Sequence, residues 1–427
     1  GSLAYFGLTG VNAAGGWRAI PYFQPEQEES LEYELSGLVY GLANPEKPVV
    51  GLIAGLPLDG GPANPFLDKT QPWFILTQIQ RSFEVQDLGT GPESIPENID
   101  VLMIVHPKRL DEKTLFAIDQ YVLGGGRVLA FLDPFAEGDQ AIEKPAEGEQ
   151  DAGQGSVTAA RASDLWPLME AWGIELVPFL IAADRQAATR IKSTVGGQDR
   201  GVVDYVAWLT LREENFSPED FVSSPLKSVV MGSAGILTPY AGAGTQFTPL
   251  ITTSDQSMPI DAASIQFFTS PEELLQAYVP GGESFVVAAR ISGDVKTAFP
   301  EGIEGVEDRL TQSSEPVNVI IVADTDMLRD MFWVSFQDYY GRRAALPSAD
   351  NDTFVINALD NLSGSNDLIN LRSRGRSVLP FEVVADLRAA ADQEFRSKEL
   401  TLQEKLSETG HKLRELQKSV TSESGEL

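Results

Sequence analysis

The sequence predicts an α/β protein: a doubly wound parallel sheet, then a mixed, β-rich α/β lobe, then a long C-terminal helix. Three observations carry that expectation. Short apolar runs at Val49–Ala54, Val101–Val105 and Val128–Leu132 alternate with helical patterns, as in a parallel sheet covered on both faces. Residues 182–300 are rich in Thr, Val, Gly, Pro and Ser, a texture of short strands and turns. Near the C-terminus, Leu402, Leu406, Leu413, Leu416 and Val420 are spaced as alternating a and d positions, with Thr409 among them, the pattern of a coiled coil.

Taken in order, Gly1-Ser2 reads as a cloning remnant and residues 1–47 as an N-terminal segment. A first lobe spans 48–181. Its opening strand is Val49–Ala54, and Gln71–Phe83 follows as a helix carrying Trp73, Phe74, Ile75, Leu76 and Ile79. Phe83–Leu88 alternates with period two, as a strand does. Val101–Val105 is wholly apolar, a buried strand. Leu110–Tyr121 is helical and Gly124-Gly125-Gly126 ends it before the buried strand Arg127–Pro134. Ala136–Gly155 holds six acidic residues and one basic residue, Lys144, so 135–158 reads as a solvated acidic loop. Asp164–Trp172 resumes as a helix, with a strand at Gly173–Val177.

A second lobe spans 182–376, with strands expected at Val202–Leu211, Ser228–Leu237, Ser284–Ile291 and Val317–Ala323, and a helix at Thr353–Leu362. Residues 377–427 form the long amphipathic helix. Either it packs on its own domain or it serves as a coiled-coil stalk or partner-binding helix.

Composition removes several functions. The 427 residues suit two or three domains. With 32 Lys+Arg against 62 Asp+Glu, the formal charge is −30. That balance argues against sequence-independent nucleic-acid binding and against adsorption to anionic lipid. Cysteine is absent, which removes disulfides, thiolate nucleophiles and thiolate metal sites. His106 and His411 are the only histidines, leaving little material for zinc or Ser-His-Asp chemistry. No apolar run reaches the roughly 18–20 residues of a membrane span. No cofactor is expected.

The candidate ligand residues gather at predicted strand ends. His106 follows Val101–Val105, and Asp59 and Asp133 end neighbouring strands. That edge is where open α/β sheets place ligands. A structural His-Pro turn competes for His106. Asp324 and Asp326 follow the apolar strand Val317–Ala323, and two carboxylates at such a position suit Mg²⁺. A metal-dependent hydrolase is the reaction they suggest. Against it, the phosphotransferase form of the motif needs Thr or Val where Leu328 stands. Capping of the next turn is the plainer role. Arg372, Arg374 and Arg376 form the one basic cluster, suited to an acidic partner face or to the chain's own carboxylates.

Three stretches then resemble a known family. One is Glu28-Glu29-Ser30-Leu31-Glu32-Tyr33-Glu34-Leu35-Ser36 leading to Asn44-Pro45-Glu46-Lys47-Pro48-Val49-Val50-Gly51-Leu52. Another is Leu110-Asp111 through Tyr121, then Gly125-Gly126-Arg127-Val128-Leu129-Ala130-Phe131-Leu132-Asp133-Pro134. The third joins Val322-Ala323-Asp324-Thr325-Asp326, Asn357-Ala358-Leu359-Asp360-Asn361-Leu362-Ser363-Gly364 and Leu371-Arg372-Ser373-Arg374-Gly375-Arg376 to the charged helix. In that order they resemble the GldG-like auxiliary component of ABC transporters associated with gliding motility. The resemblance implies a flavodoxin-like, class I amidotransferase-like first lobe, similar also to the GIFT domain of intraflagellar transport. It implies a non-catalytic periplasmic region, anchored in the cytoplasmic membrane by segments outside this sequence. Its partners would be an ABC permease and an ATPase. Amidotransferase activity itself needs a cysteine nucleophile, which this chain lacks. The competing readings are a stand-alone saccharide- or peptide-binding module and the hydrolase above.

Overall fold

A computed structural model of the chain describes residues 7–13, 15, 17–20, 35, 38, 39, 42, 47–60, 71–139, 160–195, 198–266, 270–306, 308–339 and 342–364. All lie in the first of two compact units, Gly1–Gly375. The second unit, Arg376–Leu427, lies outside the described residues, as do Arg372 and Arg374. The expected partner-binding residues Arg372, Arg374, Arg376, Leu402, Leu406, Leu413 and Leu416 therefore all fall outside them.

Two short strands, β1 (Leu8–Val11) and β2 (Trp17–Ile20), pair as an antiparallel hairpin. The main sheet starts with β3 (Val49–Ala54). Helix α1 (Phe74–Ser82), β4 (Glu84–Asp87), β5 (Val101–Val105), α2 (Glu112–Leu123) and β6 (Val128–Phe131) follow. Asp111 caps α2 by accepting from the Thr114 amide at 2.8 Å, as an N-cap carboxylate should. Helix α3 (Leu168–Trp172) leads into β7 (Ile174–Asp184), with Gly173 left-handed between them at φ 81°, a conformation glycine adopts without steric cost. Strands β8 (Ala188–Val195), β9 (Gln198–Arg212) and β10 (Ser228–Gly232) form a separate three-stranded sheet, with β9 in the middle. Then come β11 (Gly235–Pro239), β12 (Gln246–Thr252), β13 (Ser257–Asp261), α4 (Ala262–Gln266), α5 (Pro271–Ala277), β14 (Val286–Gly293) and β15 (Val317–Val322). A short helix α6 (Asp330–Trp333), the hairpin β16 (Val334–Tyr339) and β17 (Arg342–Pro347), and α7 (Asn351–Leu362) complete the described chain.

Ten strands share the main sheet, in the order β13-β7-β11-β14-β15-β6-β5-β3-β4, with β12 pairing β14 off that path. The five strands β4-β3-β5-β6-β15 are parallel. From β14 onward the neighbours are antiparallel, so the sheet is mixed. Its expected parallel character holds for five strands. The apolar runs reported burial on both faces correctly, but burial says nothing about the direction of a neighbour.

The strands of both expected lobes hydrogen-bond in this one sheet. The boundary expected at residue 181 falls inside β7. The Thr- and Gly-rich stretch after it supplies β11 and β14 inside the same sheet and the separate three-stranded sheet, with a small buried cluster of its own around Ala188, Val206, Ile260, Leu274 and Tyr278. Ser228–Leu237, expected as one strand, is two. Ser233 turns at φ 58° between them, sending β10 to the small sheet and β11 to the large one.

Helices cover both faces. On one face, α1 and α7 bury Ile75, Ile79, Phe354, Val355 and Leu359 against Val50, Met103, Leu129 and Val322. Leu209, Leu211, Val229 and Met231 of the small sheet close the same core. On the other face, α2 and α3 bury Ile118, Val122, Leu168 and Trp172 against Leu102, Ile104, Ala130 and Val319. Each such side chain contributes about 1.5–3 kcal/mol on burial. That is why β5 and β6 carry only apolar residues.

Candidate functional site

The site is built where β6 and β15 end. The two strands are parallel neighbours, with Val322 opposite Phe131. Leu132 donates its amide to the Val322 carbonyl at 2.8 Å. Two residues past those ends stand Asp133 and Asp324, so parallel register alone brings the carboxylates together. One oxygen from each of Asp133, Asp324 and Asp326 lies within 4.8 Å of the others, and all three residues are buried.

Each of the six oxygens has a donor. Asp133 Oδ1 accepts the Phe135 amide at 2.8 Å. Its Oδ2 accepts the Thr325 amide at 2.9 Å and the Thr325 hydroxyl at 2.7 Å. Asp324 Oδ1 accepts the amides of Asp326 (2.7 Å) and Met327 (3.3 Å), capping the turn Asp326–Leu328. Its Oδ2 accepts the Gly232 amide at 2.8 Å. Asp326 accepts the amides of Glu137 (2.6 Å) and Gly138 (2.8 Å), and Arg329 at 3.1 Å.

Burial pushes all three carboxyls up. For Asp133 and Asp324 the rise is well above the usual range, first from burial and then from the neighbouring carboxylates. Asp326 is pushed up to about 6 by burial and by Glu137, with Arg329 opposing.

These three residues are the set among the described chain that could hold a hard cation. A cation there would have to compete with donors already seated on every oxygen. The arrangement is that of a clasp, in which buried carboxylates tie together three backbone segments, 133–138, Gly232 and 324–329. One of those segments begins the expected acidic loop. Phe135, Ala136 and Asp139 are buried, so the loop's first residues are structural and not solvated; 140–158 lie outside the described residues. Glu137 reaches inward to accept from Trp208 Nε1 at 2.7 Å and from the Ser233 hydroxyl.

Beside the clasp, His106 is fully buried at φ 51°. Its Nε2 lies 3.2 Å from Asp139 Oδ2, which also accepts from Lys108 Nζ at 2.6 Å. Gly55 packs so closely here that a Cβ would stand 2.2 Å from the His106 carbonyl oxygen. Asp59 is exposed and stands outside the three-carboxylate cluster. The structure thus unites Asp133, Asp324 and Asp326 and gives His106 a different partner. Glu137, Asp139 and Lys108 were not foreseen. Nothing in an acid-rich stretch distinguishes the two carboxylates that turn inward.

The opposite edge differs. Where β6 and β15 begin, a cleft of about 360 Å³ is lined by Arg127, Glu219, Asp220, Phe221, Arg290, Asn318, Asn361 and Gly364. Arg290 spans Asp220 with two hydrogen bonds, at 2.8 and 3.1 Å, and donates to Asn318 Oδ1 at 2.7 Å. Arg127 donates to the Leu362 carbonyl at the end of α7, at 2.5 Å. Here the sequence did hold a signal: Arg290 interrupts the apolar run Val286–Ile291 and Asn318 is the one polar residue of β15.

The family model described as an ABC-type uncharacterized transport system matches residues 47–358. No curated protein matches the chain. Among solved structures, a β-galactosidase from Rahnella sp. R3 is similar at 11% identity and a TM-score of 0.28, over 77% of this chain and 33% of that one. An exo-β-1,4-mannosidase from Opitutaceae bacterium strain TAV5 is similar at 12% identity and 0.24, over 72% and 36%. A GH42 β-galactosidase catalytic mutant from G. stearothermophilus is similar at 10% identity and 0.25, over 73% and 34%. The chain spans about a third of the length of these structures.

Proposed function

Because the chain belongs to this family of auxiliary components of ABC transport systems, we propose that it is the non-catalytic periplasmic region of a membrane-anchored auxiliary subunit. It binds a ligand or partner and scaffolds an ABC permease and its ATPase at the periplasmic face of the bacterial cytoplasmic membrane. The observation that carries this reading is the family match over residues 47–358. The clasp is consistent with it: the carboxylates of Asp133, Asp324 and Asp326 are engaged in holding backbone segments together, a strut's work and not a nucleophile's. No described helix is long and apolar enough to cross a membrane, so the reading assigns anchorage to segments outside the described residues.

The finer resemblance to GldG-like proteins and to an amidotransferase-like first lobe belongs to the same proposal. The order β4-β3-β5-β6-β15 supports it. Numbered by chain position within the parallel set, this is 2-1-3-4-5, the flavodoxin-like order. Gliding itself is not part of the proposal.

The test is purification of the full-length protein from native membranes in mild detergent, with co-purifying chains identified by mass spectrometry. A permease and an ATPase are expected. Recovery of the protein alone, at every detergent tried, would overturn the scaffold and leave the competing reading of a stand-alone saccharide- or peptide-binding module. The open cleft favours that second reading's ligand, wherever the protein resides.

A further inference from the structure

The cleft at the start of β6 and β15 has the chemistry of a binding site, and nothing in the clasp accounts for it. Its volume, about 360 Å³, falls at the small end of ligand pockets. Its wall carries both hydrogen-bonding senses. Arg127 and Arg290 are donors, Glu219 and Asp220 are acceptors, and Asn318 and Asn361 are both. The two guanidinium and two carboxylate charges cancel, so neither an anion nor a cation gains from the lining. An anion is further opposed by the α7 C-terminus beside Arg127 and by the chain's net charge of −30.

The planar groups are held in place before any ligand arrives. Arg290 is locked by Asp220 and Asn318, and both members of the Arg290–Asp220 pair are largely buried, with side-chain exposures of 14% and 13%. Arg127 is pinned to the Leu362 carbonyl. Such fixed polar groups lower the ordering cost of binding. The apolar element is Phe221, 48% exposed at the rim. A ring left half in solvent beside fixed, mixed donors and acceptors fits a molecule with hydroxyls around its perimeter and an apolar C–H face.

We infer that this cleft binds a neutral saccharide of one or two rings, with Phe221 under a sugar face and Arg127, Asn318, Asp220 and Asn361 meeting its hydroxyls. This deepens the ligand-binding part of the proposed function and places the ligand at the edge opposite the clasp. It does not depend on the transporter partners.

The experiment uses the purified 427-residue chain, so its failure is separate from failure to recover a permease. Titration calorimetry and two-dimensional NMR are run with lactose, maltose, cellobiose and N,N′-diacetylchitobiose. Galacturonate serves as the charged comparison and a neutral tripeptide as the peptide comparison. At least one neutral sugar is expected to bind in the millimolar range or tighter, more strongly than galacturonate. Phe221→Ala should weaken that binding roughly tenfold, the size of a lost stacking face, while leaving the melting temperature unchanged. Asn318→Ala should weaken it as well, and tests the wall independently of the ring.

The inference is overturned if none of the four sugars binds at tens of millimolar. It is equally overturned if galacturonate or the tripeptide binds and the sugars do not. Sugar binding that ignores both substitutions would place the saccharide elsewhere and sink the assignment of this cleft.

Discussion

The same parallel strands present two different edges. Where β6 and β15 end, three buried carboxylates converge and every oxygen is engaged. Where they begin, Arg127 and Asn318 border an open polar cleft. Open α/β sheets ordinarily bind ligands at the first kind of edge, yet here that edge is filled by the chain itself. Glu137 and Gly138 seat their amides on Asp326, and Asp139 meets His106 and Lys108. The difference teaches that a cluster of acidic residues must be read together with its donors. Carboxylates saturated by amides hold a fold together. At the other edge, Arg290 and Asn318 hold one another beside an open cleft.

Five measurements break or sharpen that contrast. The largest effect should come from Gly55→Ala. Its Cβ would stand 2.2 Å from the His106 carbonyl oxygen, and backbone cannot yield as a side chain tip can. A loss of about 3 kcal/mol or more in denaturant unfolding is expected; a loss under about 1 kcal/mol would mean the end of β5 is not rigid.

Asp324→Ala comes next. It strips the acceptor from the amides of Gly232, Asp326 and Met327, and orphaned buried donors cost about 1–3 kcal/mol each before relaxation. A net loss of about 3 kcal/mol is expected by the same measurement. A neutral result would remove the clasp from the architecture.

The third is a pH effect. Asp326 faces Asp324, Asp133, Glu137 and Arg329. Its pKa of about 6 in the fold stands above the ordinary 3.8, so the folded chain holds the proton more tightly. The stabilisation this gives is complete below pH ~4 and lost as the pH rises through about 6. Comparing Asp326→Asn with the parent by melting temperature cancels the remote carboxylates, and it relieves Asp133 and Asp324 of the Asp326 charge, which acts in the same direction. The variant should gain on the parent by a few degrees between about pH 4 and pH 7.5. A gap independent of pH would contradict the raised value.

On the opposite edge, Arg290→Ala should cost about 1–2 kcal/mol by removing the guanidinium from Asp220, which among the described residues keeps only the Val222 amide, and from Asn318 Oδ1. Smallest is Phe221→Ala, half exposed and expected within about 0.5 kcal/mol of the parent. A large loss there would make Phe221 a core residue and spoil it as a ligand platform.

How much could be read beforehand follows the range of the interactions. Val49–Ala54, Val101–Val105 and the Asp111-capped helix were legible because burial pattern and capping act within a few residues. The split of Ser228–Leu237 was not, because Ser233 turns at φ 58° where its amide meets the Ala207 carbonyl on the neighbouring strand β9, 26 residues back in the chain. Of the candidate site, Asp133, Asp324 and Asp326 were legible as residues at strand ends. That their oxygens would already be occupied was not, since the donors come from Gly232, Thr325, Glu137 and Gly138.

By itself the sequence determined the strand-and-helix alternation of the parallel half, the absence of thiol chemistry and the placement of carboxylates at the ends of β6 and β15. These follow from local pattern and composition. Tertiary structure alone decided that both halves share one sheet, that the acidic stretch opens by turning inward, and which edge stays open. Those outcomes depend on strand order and on donors brought from distant segments, and no short-range pattern encodes which backbone amide will face which carboxylate.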